Sequence, residues 1–213
     1  MPQTKVSRVP GRSRREEYSE ITRSALVSSA LELFASKGYA DTSLDAIASD
    51  ARLTKGALYH HFPGGKRSIF SAAFASLEQD VHERLVALID SELDSPWEVA
   101  SAALRQFLDV CLEPVYRRVV WQEAPHVLGM AVWWESEQRH SLGLIVTMIE
   151  KLMDAGLIER LPIEPLARTL SGALVGAAAA MTEADDPARV RADFELVISR
   201  MLRGLAPNPA PLA

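Results

Sequence analysis

Between Thr42 and Phe62 the chain reads TSLDAIASDARLTKGALYHHF, and no other stretch limits the fold as sharply. Two hydroxyl-led starts stand twelve residues apart, Thr42/Ser43 and Thr54. A Ser or Thr side chain caps a helix by accepting from an early backbone N–H. Thr42 or Ser43 can cap the first helix, and Asp45 completes a possible capping box with Thr42. Leu44, Ile47 and Ala48 then share an inward face, as do Leu58 and Phe62 after Thr54. The spacing predicts a helix over 43–50, a tight turn over 51–53 and a second short helix over 54–61, stopped by Pro63-Gly64-Gly65. Two helices this short cannot bury a core alone, so they form a helix-turn-helix leaning on neighbours.

Those neighbours are also helices. Val27, Ala30, Leu31 and Phe34 lie on one face of a segment from about Ser19 to Lys37, with Gly38 as its C-cap. Phe70, Ala73, Phe74, Leu77, Val81, Leu85 and Leu88 mark a long amphipathic helix. Pro96, Pro114, Pro125, Pro162, Pro165 and Pro187 divide the remainder into helical pieces, several with proline near the first turn. Two-residue alternation is missing, so the predicted class is all-α. Both ends, residues 1–15 and 206–213, read as disordered.

The net charge of −5 conceals an asymmetry: residues 1–67 carry 11 Lys/Arg against 7 Asp/Glu, and residues 68–213 carry 12 against 21. A basic end on an acidic body suits contact with a polyanion at that end only, although a basic tail alone would give the same tally. The single cysteine, Cys111, forms no internal disulfide, and no apolar stretch follows the basic N-terminus. Both points lead to the expectation of a cytoplasmic protein without a membrane span.

The chemistry of LTKGALYHHFPGGKRSIF narrows the options. His60 and His61 are adjacent, hence about 100° apart on a helix, and no carboxylate completes a ligand set, so no metal is expected. PGGKRS departs from a phosphate loop because Arg67 separates Lys66 from Ser68, and because a helix precedes it. A DNA contact surface fits. Lys55 can donate to guanine, Gly56 lets the backbone approach a base edge, and Tyr59, His60 and Lys66 can donate to phosphate.

With T-S-L-D-A-I-A, then T-K-G-A-L-Y-H-H-F, then K-R-S-I-F, residues 19–75 resemble the DNA-binding part of the TetR family of transcriptional regulators. An EAPHVLG segment further on is also similar to some members. The resemblance implies an N-terminal three-helix helix-turn-helix domain followed by a C-terminal helical ligand-binding and dimerisation domain. The expected boundaries are 16–66 and 67–205. It implies DNA contacts at Thr42 or Ser43 and at Thr54, Lys55, Gly56, Tyr59, His60 and Lys66. This chain departs from the family pattern twice. Arg52 stands where the turn usually has glycine, and Lys66 lies one residue further from Phe62 than is common.

Two patterns address the acidic remainder. Helices are expected over 164–183 and 187–204. The first is rich in small residues, among them Gly172, Gly176 and Ala180; the second carries Val190, Phe194, Val197, Ile198, Met201 and Leu202. The expected interface with a second copy uses Gly172, Gly176, Ala180, Phe194, Ile198 and Met201, as the resemblance implies; an internal hairpin is the alternative. A two-fold dimer reads two half-sites of a palindromic operator in double-stranded DNA. The second pattern is an aromatic and Met-rich middle holding all four tryptophans. An effector site is expected at Phe107, Cys111, Trp121, His126, Met130, Trp133 and Trp134, with Arg105, Gln122 or Glu123 as polar partners. These residues also suit a plain core. The ligand would be apolar, with an aromatic ring a good fit.

Catalytic patterns are lacking. Cys111 lies between Val110 and Leu112 as a buried thiol would, and His82 and His140 read as surface. The expectation is a non-enzyme without cofactor or metal: a DNA-binding repressor released by a small-molecule effector. The alternative is a helical dimeric interaction or small-molecule-binding protein without specific DNA binding.

Overall fold

The computed structural model describes residues 14–91 and 95–207. Every regular element among them is helical, as the sequence predicts. The expected disorder of residues 1–13 and 208–213 lies outside the described residues.

Helix α1 spans Arg14–Asp41, so it takes in Arg14 and Arg15, which the sequence reading gave to a tail. Gly38 interrupts it at φ 85 and ψ 167, and one further turn follows. Thr42 is a correction. It is buried, and its hydroxyl donates to the carbonyls of Gly38 at 2.7 Å and Leu33 at 3.2 Å, sealing the kinked end of α1. Ser43 alone caps α2 (Leu44–Asp50), accepting from the Ala46 N–H at 3.1 Å. The expected Thr42–Asp45 capping box therefore does not form. Thr54 caps α3 (Lys55–His61) through the Ala57 N–H. Between α2 and α3, Arg52 adopts φ 56, the left-handed conformation that glycine takes freely.

Helix α4 (Gly65–Ile89) leaves the head and runs into the body. Helix α5 (Pro96–Leu112) starts on a Ser95 cap with Pro96 in its first turn. Pro114 opens the single turn α6 (Pro114–Tyr116), which passes into a π-helix over Arg117–Glu123 and then α7 (Ala124–Val127). The π-helix ends at a proline. Ala124 N–H bonds five residues back to Val119, and the next donor in that pattern would be Pro125, which has no N–H. The Val120 carbonyl left over is taken by the Trp133 indole N–H at 2.9 Å.

Helices α8 (Met130–Asp154), α9 (Ile163–Glu183) and α10 (Pro187–Arg203) complete the body. Asp186 caps α10 and Pro187 occupies its first turn. One apolar cluster runs from the head (Phe34, Ile47, Leu58, Phe70) into the body (Leu108, Val119, Met181, Ile198). A second (Ile89, Ile149, Leu152, Ile158, Ala167) closes the far end. The expected α10 stripe divides. Val190, Phe194, Ile198 and Leu202 pack inward, while Leu196, Val197 and Met201 are exposed. Ile198, assigned from sequence to an interface between copies, is buried, and Phe194 leans on the same core.

Candidate nucleic-acid interface and effector cavity

Leu58 and Phe62 are buried to 0% and 2% exposure and fix α3 in place. The rotation that sinks them turns Lys55, Gly56, Tyr59 and His60 outward, with Thr54 and Ser43 beside them. Gly56 has ordinary φ, and a Cβ there would meet only the Thr54 hydroxyl at 3.9 Å. Internal packing thus has no need of glycine at 56; the open side faces solvent. Lys55 sits 2.7 Å from Asp45 of α2, and that hydrogen bond and charge raise its pKa. A cation after an N-cap opposes the helix dipole, and Asp45 supplies the compensating anion. The His60 and His61 rings meet edge to face at 5.2 Å, His61 half-buried.

Lys66 is engaged inside the protein. Its ammonium donates to the Ala40 carbonyl at 2.9 Å and lies 4.6 Å from the centre of the Tyr39 ring. A phosphate role requires it to share or exchange those partners. Neighbouring Arg67 donates to the Leu128 carbonyl at 3.2 Å, tying the first turn of α4 to the link between α7 and α8.

A tie between head and body crosses from the π-helix to α1. Its i, i+5 geometry stacks Arg118 beside Glu123 at 3.7 Å. Glu123 accepts from the Tyr39 N–H at 3.1 Å, just past the Gly38 kink. A Cβ on Gly38 would lie 2.6 Å from the Arg118 guanidinium and 2.9 Å from Glu123. Glu123, expected to face an effector, instead holds the end of α1.

The body contains a cavity of about 120 Å³ between α4, α5, α8, α9 and α10. Leu85, Leu104, Phe107, Ile145, Leu174 and Ile198 are among its apolar walls; Glu137, Ser141 and Ser171 are its polar members. Of the seven residues expected at an effector site, Phe107 alone lines it. Trp121 and Trp133 are core, edge to face at 5.3 Å. Cys111 is buried among them, and burial pushes its thiol pKa up, with the Glu137 and Glu78 charges adding to it. Met130, Trp134 and His126 are exposed away from the cavity. Arg105 reaches Glu195 at 4.0 Å across α5 and α10, and Gln122 is exposed.

Two residues that sequence reasoning missed occupy the centre of the body. Glu78 and Glu137 are each 4% exposed. Glu78 accepts from the Tyr116 hydroxyl at 2.9 Å and shares a hydrogen bond with Glu137. Burial raises both carboxyl pKa values, and the Glu78 charge raises that of Glu137 further. His140, expected at the surface, is half-buried; its ring meets that of His82 at 5.9 Å. The signal was present in the sequence: Glu78 lies four residues after Phe74 and three before Val81, a carboxylate on an apolar stripe.

Known proteins share both parts. The family described as "Bacterial regulatory proteins, tetR family" matches residues 26–73. The family described as "Tetracyclin repressor-like, C-terminal domain" matches residues 97–205. The structure of a TetR-family transcriptional regulator from Pectobacterium atrosepticum is 34% identical. It superposes with a TM-score of 0.80 over 93% of this chain and 100% of that one. The transposon Tn10 TetC protein of Escherichia coli is 26% identical over 165 residues, 76% of this chain and 80% of that protein. RolR in complex with resorcinol shares the fold at 22% identity and a TM-score of 0.64, covering 93% of this chain and 99% of that one.

Proposed function

The chain belongs to the TetR family of DNA-binding transcriptional regulators, and on that premise we propose that it is a repressor released from a palindromic operator by a small molecule. Residues 16–66 form the DNA-binding domain in this reading, and residues 67–205 sense and dimerise. The observation that carries it is the outward face of α3: Thr54, Lys55, Gly56, Tyr59 and His60 are exposed on a helix whose opposite side is locked by Leu58 and Phe62. Lys55 exchanges Asp45 for a base edge, Gly56 admits a close approach, and Tyr59, His60, Ser43 and Lys66 hold phosphates.

The dimer is formed by α9 and α10. Gly172 and Gly176 are exposed, with no atom within 4 Å of an added Cβ, and Leu196, Val197 and Met201 are exposed beside them. Small residues let a partner helix approach, and the exposed apolar side chains give it area to bury. Ala180 extends the same face, half-buried. The effector occupies the cavity reached by Phe107. A mostly apolar lining suits an aromatic molecule, and RolR, which has this fold, holds resorcinol. Filling the cavity acts on the head through the Glu123–Tyr39 tie and through α4, which runs from the head into the body, a coupling of about 1–3 kcal/mol. The protein works in the cytoplasm, where its operator lies.

Selection from random duplex DNA, followed by anisotropy titration of the selected sequence, tests this. The expected result is an inverted repeat bound tightly, with affinity falling steeply as salt rises. Failure of any sequence to be enriched would overturn it.

A further inference from the structure

An ion pair crosses from α2 to α3 on the exposed side of the helix-turn-helix. The Lys55 ammonium lies 2.7 Å from Oδ1 and 3.1 Å from Oδ2 of Asp45, and the two side chains are 58% and 66% exposed. A pair this open to water adds little to stability. Leu58 and Phe62, not the ion pair, hold α3 against the head. What the pair does is set a carboxylate at the point where Lys55 meets DNA. Lys55 stands in the first turn of α3, the part of a recognition helix that reaches base edges. A base edge that meets the ammonium therefore meets the carboxylate beside it.

A carboxylate is a poor neighbour for a polyanion unless it finds a donor. Phosphates offer none. In the major groove the base edges offer two, cytosine N4 and adenine N6. The ammonium decides between them. Guanine gives it two acceptors, O6 and N7, whereas thymine gives O4 beside a methyl group. Lys55 on guanine places cytosine opposite. Within that base pair guanine O6 accepts from cytosine N4 across about 2.9 Å, close to the 2.7 Å between the ammonium and the carboxylate. Two groups on the protein thus match two groups on the base pair, donor to acceptor and acceptor to donor. Base pairing leaves the second N4–H of cytosine free, facing the groove.

We propose that Asp45 is a specificity residue that reads cytosine. When Lys55 turns to guanine O6 and N7, the Asp45 carboxylate accepts from N4 of the paired cytosine, and the two side chains together read one G·C pair in one orientation. The proposal rests on the reading of α3 as the DNA-contacting helix and adds the base that a residue of α2 recognises.

Operators selected from random duplex DNA by the full chain, by Lys55→Ala and by Asp45→Ala test it. Both variants are expected to relax the same base pair of each half-site. Reversing that G·C pair should weaken wild-type binding about tenfold or more in anisotropy titrations, and should weaken Asp45→Ala clearly less. N4-methylcytosine at that position gives a readout that helix capping, or the mere holding of Lys55, would not move. Its methyl group replaces the free N4–H and leaves the guanine and the base pairing in place. The wild type should bind this operator about tenfold more weakly than the unmodified one, and Asp45→Ala should bind the two alike. Equal losses in both proteins, no loss in either, or relaxation of different positions by the two variants overturns the proposal. An inverted repeat enriched by the wild type alongside any of those results keeps the DNA-binding reading and removes this one. Failure of the wild type to enrich any sequence removes both.

Discussion

Arg52 and Gly38 are opposite answers to one backbone demand. Arg52 holds φ 56 at the turn between α2 and α3, a conformation that costs an L-residue about 1–2 kcal/mol. Arg52→Gly is therefore expected to raise stability by about 1 kcal/mol in thermal denaturation. Gly38 holds φ 85 where a Cβ would also collide with Arg118 and Glu123. Gly38→Ala should cost about 1–3 kcal/mol, and DNA affinity should fall with it, because the kink positions Ala40, which holds Lys66. Lys55 illustrates a residue whose charge is satisfied in the free protein and reused in the complex. Lys55→Ala should relax base preference at one position per half-site by about 1–3 kcal/mol, and an unchanged selected motif would remove its base-reading role. Tyr59→Ala should instead weaken all sequences alike, as loss of a phosphate contact does.

At the scale of elements, the π-helix over Arg117–Glu123 is the least expected feature. Pro125 cannot donate, the Val120 carbonyl needs another partner, and the Trp133 indole provides it from α8. Trp133→Phe keeps one aromatic ring and loses that donor together with part of the buried indole. It should cost about 1–3 kcal/mol, the penalty of a buried carbonyl left unpaired, and chemical denaturation reads it directly. The same π geometry stacks Arg118 on Glu123 and so builds the clasp on α1. Helix α10 shows the reverse case, a regular element misread. Val190, Phe194, Ile198 and Leu202 follow a strict four-residue step and face the core; Val197 and Met201 lie one position off and face out.

For the molecule as a whole, the decisive feature is a core that is continuous from head to body, with a carboxyl pair and a cavity inside it. Burial makes the folded state hold a proton on Glu78 and Glu137 that an unfolded chain gives up. Their contribution is greatest below the ordinary glutamate value of 4.5 and is lost as pH climbs through the raised folded values. Glu137→Gln removes that titration. Its Tm should gain on the wild type as pH rises above the ordinary glutamate value of 4.5, and a constant gap would contradict the buried titration. The outward face of α9 and α10 is tested by Val197→Glu with Met201→Arg, which should leave a folded monomer in sedimentation and lose operator binding with the second half-site.

The sequence by itself determined the helical class, the two short capped helices, the turn at Arg52 and the inward anchors Leu58 and Phe62. Those features are local: a cap, a breaker or a 3- to 4-residue step acts within a few positions and needs no distant partner. The α3 surface was legible for the same reason, since the inward pair dictates which residues face out. Tertiary structure alone decided the rest. Thr42 looks like a cap and is a buried seal because the end of α1 folds over it. Trp121 and Trp133 look like a ligand pocket and are packing, because the cavity opens between five helices, at Leu85, Phe107, Ile145, Leu174 and Ile198. Glu78 and Glu137 stand 59 positions apart in the chain. Their meeting depends on how α4 and α8 cross, and no spacing rule within one helix reports a contact between two.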